Sequence, residues 1–280
     1  MFAIFLFLVI VYIRFPYGKT KKWIIIAFEN NSSYSLNIKD LNPLFPFGYN
    51  FEDVEITKEK EMPFFQARKI RARVQILPLL GGNLKFKYAI NAYEGIIIGT
   101  AKTSDGRKNG KASISADIQN VNLGKHLIFT RKRGFSLSGK MGGELKIDIE
   151  DVNTPTIKGD TVLRIEDGKI RGINIKGMVI KNISCEGIEC TFELVQNKIV
   201  LKKLFLYGKD IDLRITGMIL LEKERMEKSR LYLKLHIKPK KGFERRYRFL
   251  FRLFKNLRDK EGYFAIPVQG TLGSPRMAIP

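Results

Sequence analysis

Side chains able to do chemistry are few in this chain, and their spacing limits what they can do. Cys185 and Cys190 are its two cysteines, and His126 and His236 its two histidines. That is a sparse set of soft ligands for a zinc centre, and it lacks the paired spacing such a centre uses. The cysteines flank Glu186-Gly-Ile-Glu189. In an oxidising compartment they could close a disulfide across that loop. If Glu186-Gly187 is instead a two-residue turn, Cys185 faces Ile188 and no bridge forms in that register. The residue types leave both readings open. His236 falls on the polar side of an alternating segment and His126 in a loop, so both read as surface histidines. Gly81-Gly82 and Gly142-Gly143 sit inside β pattern and read as turns or bulges. The polar loop at residues 103–110 is not followed by a helix, as a phosphate loop would be. No nucleophile motif, carboxylate pair or metal-ligand spacing emerges. The expectation is a protein that is not an enzyme, takes no cofactor and works through its surfaces.

The elements that build those surfaces are strands. Over residues 135–222 apolar and polar residues alternate, as in Leu145-Lys-Ile-Asp-Ile149 and Ile211-Asp-Leu-Arg-Ile215, and again at Leu231-Tyr-Leu-Lys-Leu-His-Ile237. Strand side chains point to opposite faces with period two, so each segment has one oily and one wet face. Turn chemistry separates them at Glu166-Asp-Gly168, Glu186-Gly187, Gln196-Asn197 and Gly208-Lys-Asp210. Upstream, residues 33–39, 49–56, 67–77, 85–92, 95–102 and 113–118 read as further strands, with a Pro-rich connector at 42–48. The expected fold is mainly β: an elongated, curved antiparallel sheet. An apolar face with few helices to cover it can form a groove, a sandwich-like fold or an open barrel.

The ends differ from the middle. Residues 1–13 are an unbroken apolar run that Arg14 ends. A spanning helix takes about 20 residues, and Phe15-Pro-Tyr17 can extend this one as an interfacial aromatic belt. A signal peptide would have a basic start and a small-residue cleavage site, and neither is present. Residues 1–17 therefore read as a membrane anchor and 18–280 as a β-rich domain, with a sub-boundary near 125–134. Arg14, Lys19, Lys21 and Lys22 follow the run. The positive-inside rule would keep that side cytoplasmic, but it weakens for long translocated domains. Residues 20–30 taken alone could be a strand, but their place after the anchor and the helix-stopping Asn30-Asn31 favour a short helix. Residues 242–260 carry an apolar stripe of Phe243, Tyr247, Leu250, Phe251, Phe254 and Leu257 among arginines, which predicts an amphipathic helix. It can cap an open end of the sheet or lie on an anionic membrane. The cap is preferred because the chain returns to strand at residues 263–269.

Fifty Lys and Arg against 28 Asp and Glu give a formal charge of +22. Nucleic acid, anionic lipid headgroups and acidic proteins could each answer such a charge. Here it is spread over nearly every strand as a solvated face, and no nucleic-acid partner is expected.

Several segments together resemble a known family. They are the apolar run with Arg14-Phe15-Pro16, then Leu41-Asn-Pro-Leu-Phe-Pro-Phe-Gly-Tyr-Asn-Phe-Glu-Asp-Val-Glu-Ile56. Leu163-Arg-Ile-Glu-Asp-Gly-Lys-Ile-Arg-Gly172 and the closing Ile266-Pro-Val-Gln-Gly-Thr-Leu-Gly-Ser-Pro-Arg276 follow. The chain resembles the short form of the GspN component of type II secretion systems and, more loosely, AsmA-like envelope proteins. The resemblance implies an inner-membrane anchor with the bulk of the chain in the periplasm. It implies a non-enzymatic role in protein secretion through contacts with other secretion-system components. The looser likeness implies an alternative, lipid handling or envelope biogenesis through an apolar β groove. The lack of a basic segment before the apolar run departs from the family pattern.

Overall fold

Alternating sequence with short, turn-forming breaks can only bury its oily faces by pairing strand to strand, and the chain does so throughout. The structure, a computed structural model, describes residues 17–277 apart from 46, 58–62, 64, 77, 79–81, 105–109, 126–135, 151–155, 176–177, 181, 223–224, 226–227 and 254. The expected anchor at 1–17 lies outside the described residues but for Tyr17, which begins a helix. Among those described, no helix is long and apolar enough to cross a membrane.

Helix α1 (Tyr17–Asn30) leads into β1 (Ser35–Leu44), β2 (Gly48–Thr57), β3 (Phe65–Gln75), β4 (Leu84–Ala92), β5 (Gly95–Ser104), β6 (Lys111–Asn122), β7 (Ser136–Ile149) and β8 (Thr156–Arg171). A small separate hairpin follows, β9 (Ile173–Ile175) with β10 (Met178–Ile180). The chain rejoins the sheet as β11 (Ile183–Ser184) and β12 (Gly187–Val195), and continues as β13 (Lys198–Tyr207), β14 (Ile211–Leu220) and β15 (Arg230–Pro239). Two short helices, α2 (Lys241–Arg246) and α3 (Arg248–Leu253), and a 3-10 turn at Lys255–Leu257 precede β16 (Phe264–Thr271) and β17 (Ser274–Met277).

Fifteen strands make one antiparallel sheet, running β1 to β8 and then β12 to β17, with β11 laid against the end of β8. The sheet is open, not closed into a barrel, and β1 and β17 are its edges. At about 4.8 Å per strand its fourteen-strand path extends about 60 Å. It passes the proposed sub-boundary without a break, since β6 and β7 pair along their length.

Two expected turns are strand instead. Glu166-Asp-Gly168 lies inside β8, where Asp167 takes φ 52 and, opposite, Gly139 takes φ 132 as the register shifts. This is a bulge, which bends the strand without reversing it. Glu186-Gly187 is part of the ladder: the Ile165 N–H donates to the Glu186 carbonyl at 2.7 Å, and the Glu186 N–H to the Tyr207 carbonyl at 2.8 Å. The turns at Gln196-Asn197 and residues 208–210 are as expected, and Tyr93-Glu94, both at positive φ, close the β4–β5 hairpin.

The predicted helix at 242–260 is broken, with Tyr247 at φ −113, ψ 34 between α2 and α3. The break folds the apolar stripe over one corner of the sheet, where a straight helix would run past it. Phe243 is 4% exposed and packs with Ile183, Ile211 and Phe264, and Tyr247, Phe251 and Leu257 close around them. The Phe243 and Tyr247 rings are 4.8 Å apart and Phe251 and Phe264 5.2 Å. Arg258 donates to Glu244 Oε1 at 3.0 Å and lies over the Phe264 ring. Leu250 belongs to α3, and Phe254 lies outside the described residues. Phe243, Tyr247, Phe251 and Leu257 of the stripe thus pack on this corner of the sheet. Removing a buried Phe side chain costs about 3–5 kcal/mol, so Phe243→Ala should lower the denaturation midpoint sharply in lipid-free buffer. Phe249→Ala, at a position 66% exposed, should leave it in place. Equal midpoints for the two variants would show that the cap does not hold the fold.

Candidate functional site

The pairing registers carry one side-chain row across ten strands. Phe86 on β4 stands opposite Ala101, then come Ile114, Ile147, Gly159, Phe192, Leu201, Gly217, Leu233 and Val268 on β16. The row holds no polar side chain. Its neighbour on the same face runs through Ala116, Leu145, Thr161, Cys190, Leu204, Ile215, Leu235 and Ile266. Its one hydroxyl in that run, Thr161 Oγ1, donates to the Glu144 carbonyl at 2.9 Å. The opposite face is the reverse. There Arg73, Lys87, Thr100, Ser115, Lys146, Asp160, Thr191 and Lys203 follow one another from β3 to β13.

The apolar face is only partly withdrawn from water. Phe86, Ile114, Ile147, Phe192, Leu201 and Leu233 are all half-buried. Fully buried apolar residues include Ala116, Ile266 and Val268 of the rows themselves, Ile38, Val54 and Ala67 on β1–β3, and two clusters, one of Leu123, Ile165 and Cys185 and one at the corner under α2 and α3. Among the described residues the rows belong to one continuous sheet, and the helices sit at the β1 edge and at that corner. Tyr88 lies flat along the face. Its hydroxyl crosses β5 to donate to the Ser115 carbonyl at 3.0 Å, and a Cβ on Gly99 beneath it would come within 2.4 Å of that oxygen. Phe192 covers Gly159 in the same way, at 2.2 Å. Glycine under an aromatic ring lets the face stay smooth where a β-branched residue would lift the ring.

The polar face is ion-paired at its surface. Lys202 meets Glu193 at 2.8 Å, Lys203 meets Glu189 at 2.5 Å and Lys158 meets Glu150 at 2.5 Å. Exposed pairs of this kind contribute about 0–1 kcal/mol, so they do not explain the fold. His236 stands on this face near Tyr263, a ring that Arg214 and Lys238 also approach, at 5.4 and 5.0 Å. Burial, then the Lys234 charge, lower its pKa. His126 lies outside the described residues. Among those described, no cluster of His, Cys, Asp or Glu is arranged to hold a metal ion.

Both cysteines are free thiols, so the disulfide reading of the sequence is not met. Cys185 is fully buried, its N–H donating to the Gly168 carbonyl at 3.0 Å within the ladder. Cys190 lies on the apolar face between Thr161 and Leu204. The structure therefore separates the residues singled out in the sequence: Phe243 of the α2–α3 stripe and Cys185 belong to the two buried clusters, and Cys190 to the rows. The continuity of those rows escaped sequence reading. Its only signal was the shared parity of alternation within each strand.

No protein-family model, curated protein or solved structure matches the chain. The family resemblance therefore rests on the sequence segments that carry it.

Burial pushes the Cys185 thiol up to about 11, and burial followed by the Asp160 charge raises that of Cys190. The reactive thiolate is thus scarce at neutral pH and grows as pH rises. An apolar maleimide should label Cys190 slowly at neutral pH and faster in alkali. Cys185 should react only on unfolding, which peptide mass mapping would read. Fast labelling of Cys185 in the native protein would place it outside the core.

Proposed function

We propose that the chain is a non-enzymatic lipid-handling protein, anchored in the inner membrane through residues 1–17 with its sheet in the periplasm. The apolar face shields acyl chains and the basic residues of the other face and the rims meet headgroup phosphates. The observation that carries this reading is the unbroken apolar row from β4 to β16, half-buried along most of its length. Monomeric soluble proteins seldom expose contiguous apolar patches beyond a few hundred Å². The ten-strand row is instead partly open to water along most of its length, which fits a surface that receives an apolar occupant. Each acyl methylene moved from water onto such a surface contributes about 0.8 kcal/mol, so a long chain gains on the order of 10 kcal/mol before ordering costs. A sheet face also suits acyl chains because it demands no hydrogen bonds from its ligand. The anchor and compartment follow from the sequence resemblance, and the secretion-component role it implies is the competing reading. In that case the same face would receive an apolar segment of another secretion component.

Native mass spectrometry after mild extraction tests the proposal. Wild-type protein should carry phospholipid. Ile147→Glu combined with Leu201→Glu puts two carboxylates on the apolar row and should strip most of it. Val162→Glu, at a 52% exposed position of the opposite face, should leave the load intact. Clean apo protein from the wild type, or equal loads in all three chains, would overturn the lipid reading and favour a protein partner.

A further inference from the structure

The β1 edge carries features that a lipid-bearing face does not use. The connection between β1 and β2 presents Phe45 and Phe47, 66% and 50% exposed. Phe47 takes φ 54, a left-handed conformation that Gly and Asn adopt readily and a bulky aromatic rarely does. Its carbonyl accepts the Val74 N–H at 3.0 Å, which fixes it there. A large apolar side chain is thus held at a solvent-facing tip against its backbone preference.

Helix α1 stands beside this hairpin. Its inner side holds the strand, with Lys21 Nζ donating to the Lys39 carbonyl at 2.6 Å and the Leu36 N–H donating to Glu29 Oε1 at 3.2 Å. Its outer side shows Lys19, Lys22, Trp23 and Ile26, all exposed and spaced three and four apart as one stripe. Tryptophan with lysine on one helix side suits a membrane–water interface. The two hydrogen bonds set α1 antiparallel to β1. With about 20 Å of helix beside about 30 Å of strand, the tip projects past the first turn of α1. That is the end at which the apolar run of residues 1–13 joins the fold.

Charge follows the same corner. Arg73 on β3 stands opposite Gly48, next to the tip, and on its other side directly opposite Lys87 on β4. Lys85 stands directly opposite Lys102 on β5. Like charges placed directly opposite each other destabilise a sheet. Among the described residues none of the four forms an ion pair, although such pairs are common elsewhere on this face. An anionic surface would relieve both oppositions.

We propose that this corner docks on an anionic bilayer, with Phe45, Phe47 and Trp23 in the headgroup–acyl boundary and Arg73, Lys85 and Lys87 against lipid phosphates. The proposal does not depend on lipid filling the apolar face. A protein that carries no lipid can still dock, and a loaded one can fail to.

The experiment uses the full chain in vesicles of phosphatidylcholine with phosphatidylglycerol, with shallow-brominated acyl chains as fluorescence quenchers. Trp23 is the single tryptophan. It reports directly in the wild type, and in a Trp23→Phe background Phe45→Trp moves the probe to the tip. Phe249→Trp in that background is the control, at an exposed position on α3. The Phe45→Trp chain should be quenched about as strongly as the wild type and several-fold more than the Phe249→Trp chain. Lys87→Glu with Arg73→Glu should reduce that quenching, and added salt should do the same. Phe47→Gly removes the strained aromatic, so it should weaken quenching at position 45 without lowering the denaturation midpoint. If the Phe45→Trp chain is quenched no more than the Phe249→Trp control while Trp23 is quenched, proximity to the apolar run explains Trp23 and the docking corner is wrong. Quenching at position 45 unchanged by salt and by omitting phosphatidylglycerol would overturn the electrostatic half. A spectral shift at position 45 that follows protein concentration without bromine quenching would show a contact between copies instead.

Discussion

The constraint on which the structure depends is phase. Side chains alternate every residue, so one uncorrected slip would swap the oily and wet faces of every strand beyond it. The sheet holds phase across its β4–β16 span despite several irregularities, because each bulge places its extra residue on the charged face. In β13 the register shifts between Leu201 and Leu204. Lys202 and Lys203 share the bulge, each paired to a glutamate on β12, and both leucines stay on the apolar side. In β6 the shift falls between Ile118 and Val121. Gln119 and Asn120 are exposed there, Asn120 takes φ 55, and both apolar residues remain buried. Bulges of this kind bend and twist a sheet locally without interrupting its surface chemistry.

Much of this was legible in the sequence. The parity of Leu145-Lys-Ile-Asp-Ile149 and Leu231 to Ile237 named the apolar side of those strands correctly, because burial on one face dictates alternation directly. The hairpin at Tyr93-Glu94 followed from two alternating runs with a two-residue gap. The misreadings share a cause. Asp-Gly and Glu-Gly are turn signals locally, yet here the first sits in a bulge of β8 and the second in a continuous ladder. In that bulge a Cβ on Gly168 would lie 1.8 Å from the Cys185 carbonyl oxygen. Only the neighbouring strand reveals which use is made. The helix at 242–260 failed for a related reason. Its periodicity was sound, but the shape of the corner beneath it, set by Ile183, Ile211 and Phe264, decides where it breaks. Cross-strand rows lay beyond sequence reading because register is a property of pairs of strands.

An open sheet must also protect its ends. The β1 edge is covered by α1, whose Glu29 takes up a strand N–H that would otherwise invite another chain. The β17 edge is only four residues long, fully exposed, and carries Pro275 and Arg276, features that discourage edge-to-edge association. The sheet is thus defended against growth in its own plane while its broad apolar face stays half-buried.

The charge distribution bears on the partner. A net charge of +22 opposes compaction through self-repulsion, and the exposed ion pairs that offset part of it contribute little each. Basic residues on the wet face are therefore not explained by stability, least of all where Arg73 faces Lys87 and Lys85 faces Lys102. A sheet with one face suited to acyl chains and the other rich in cations matches, side for side, the two chemistries of a phospholipid. Neither face alone would distinguish lipid from a hydrophobic protein segment or from a generic polyanion. Their coincidence on opposite sides of the same strands is what supports the proposal of an anionic amphiphile as partner.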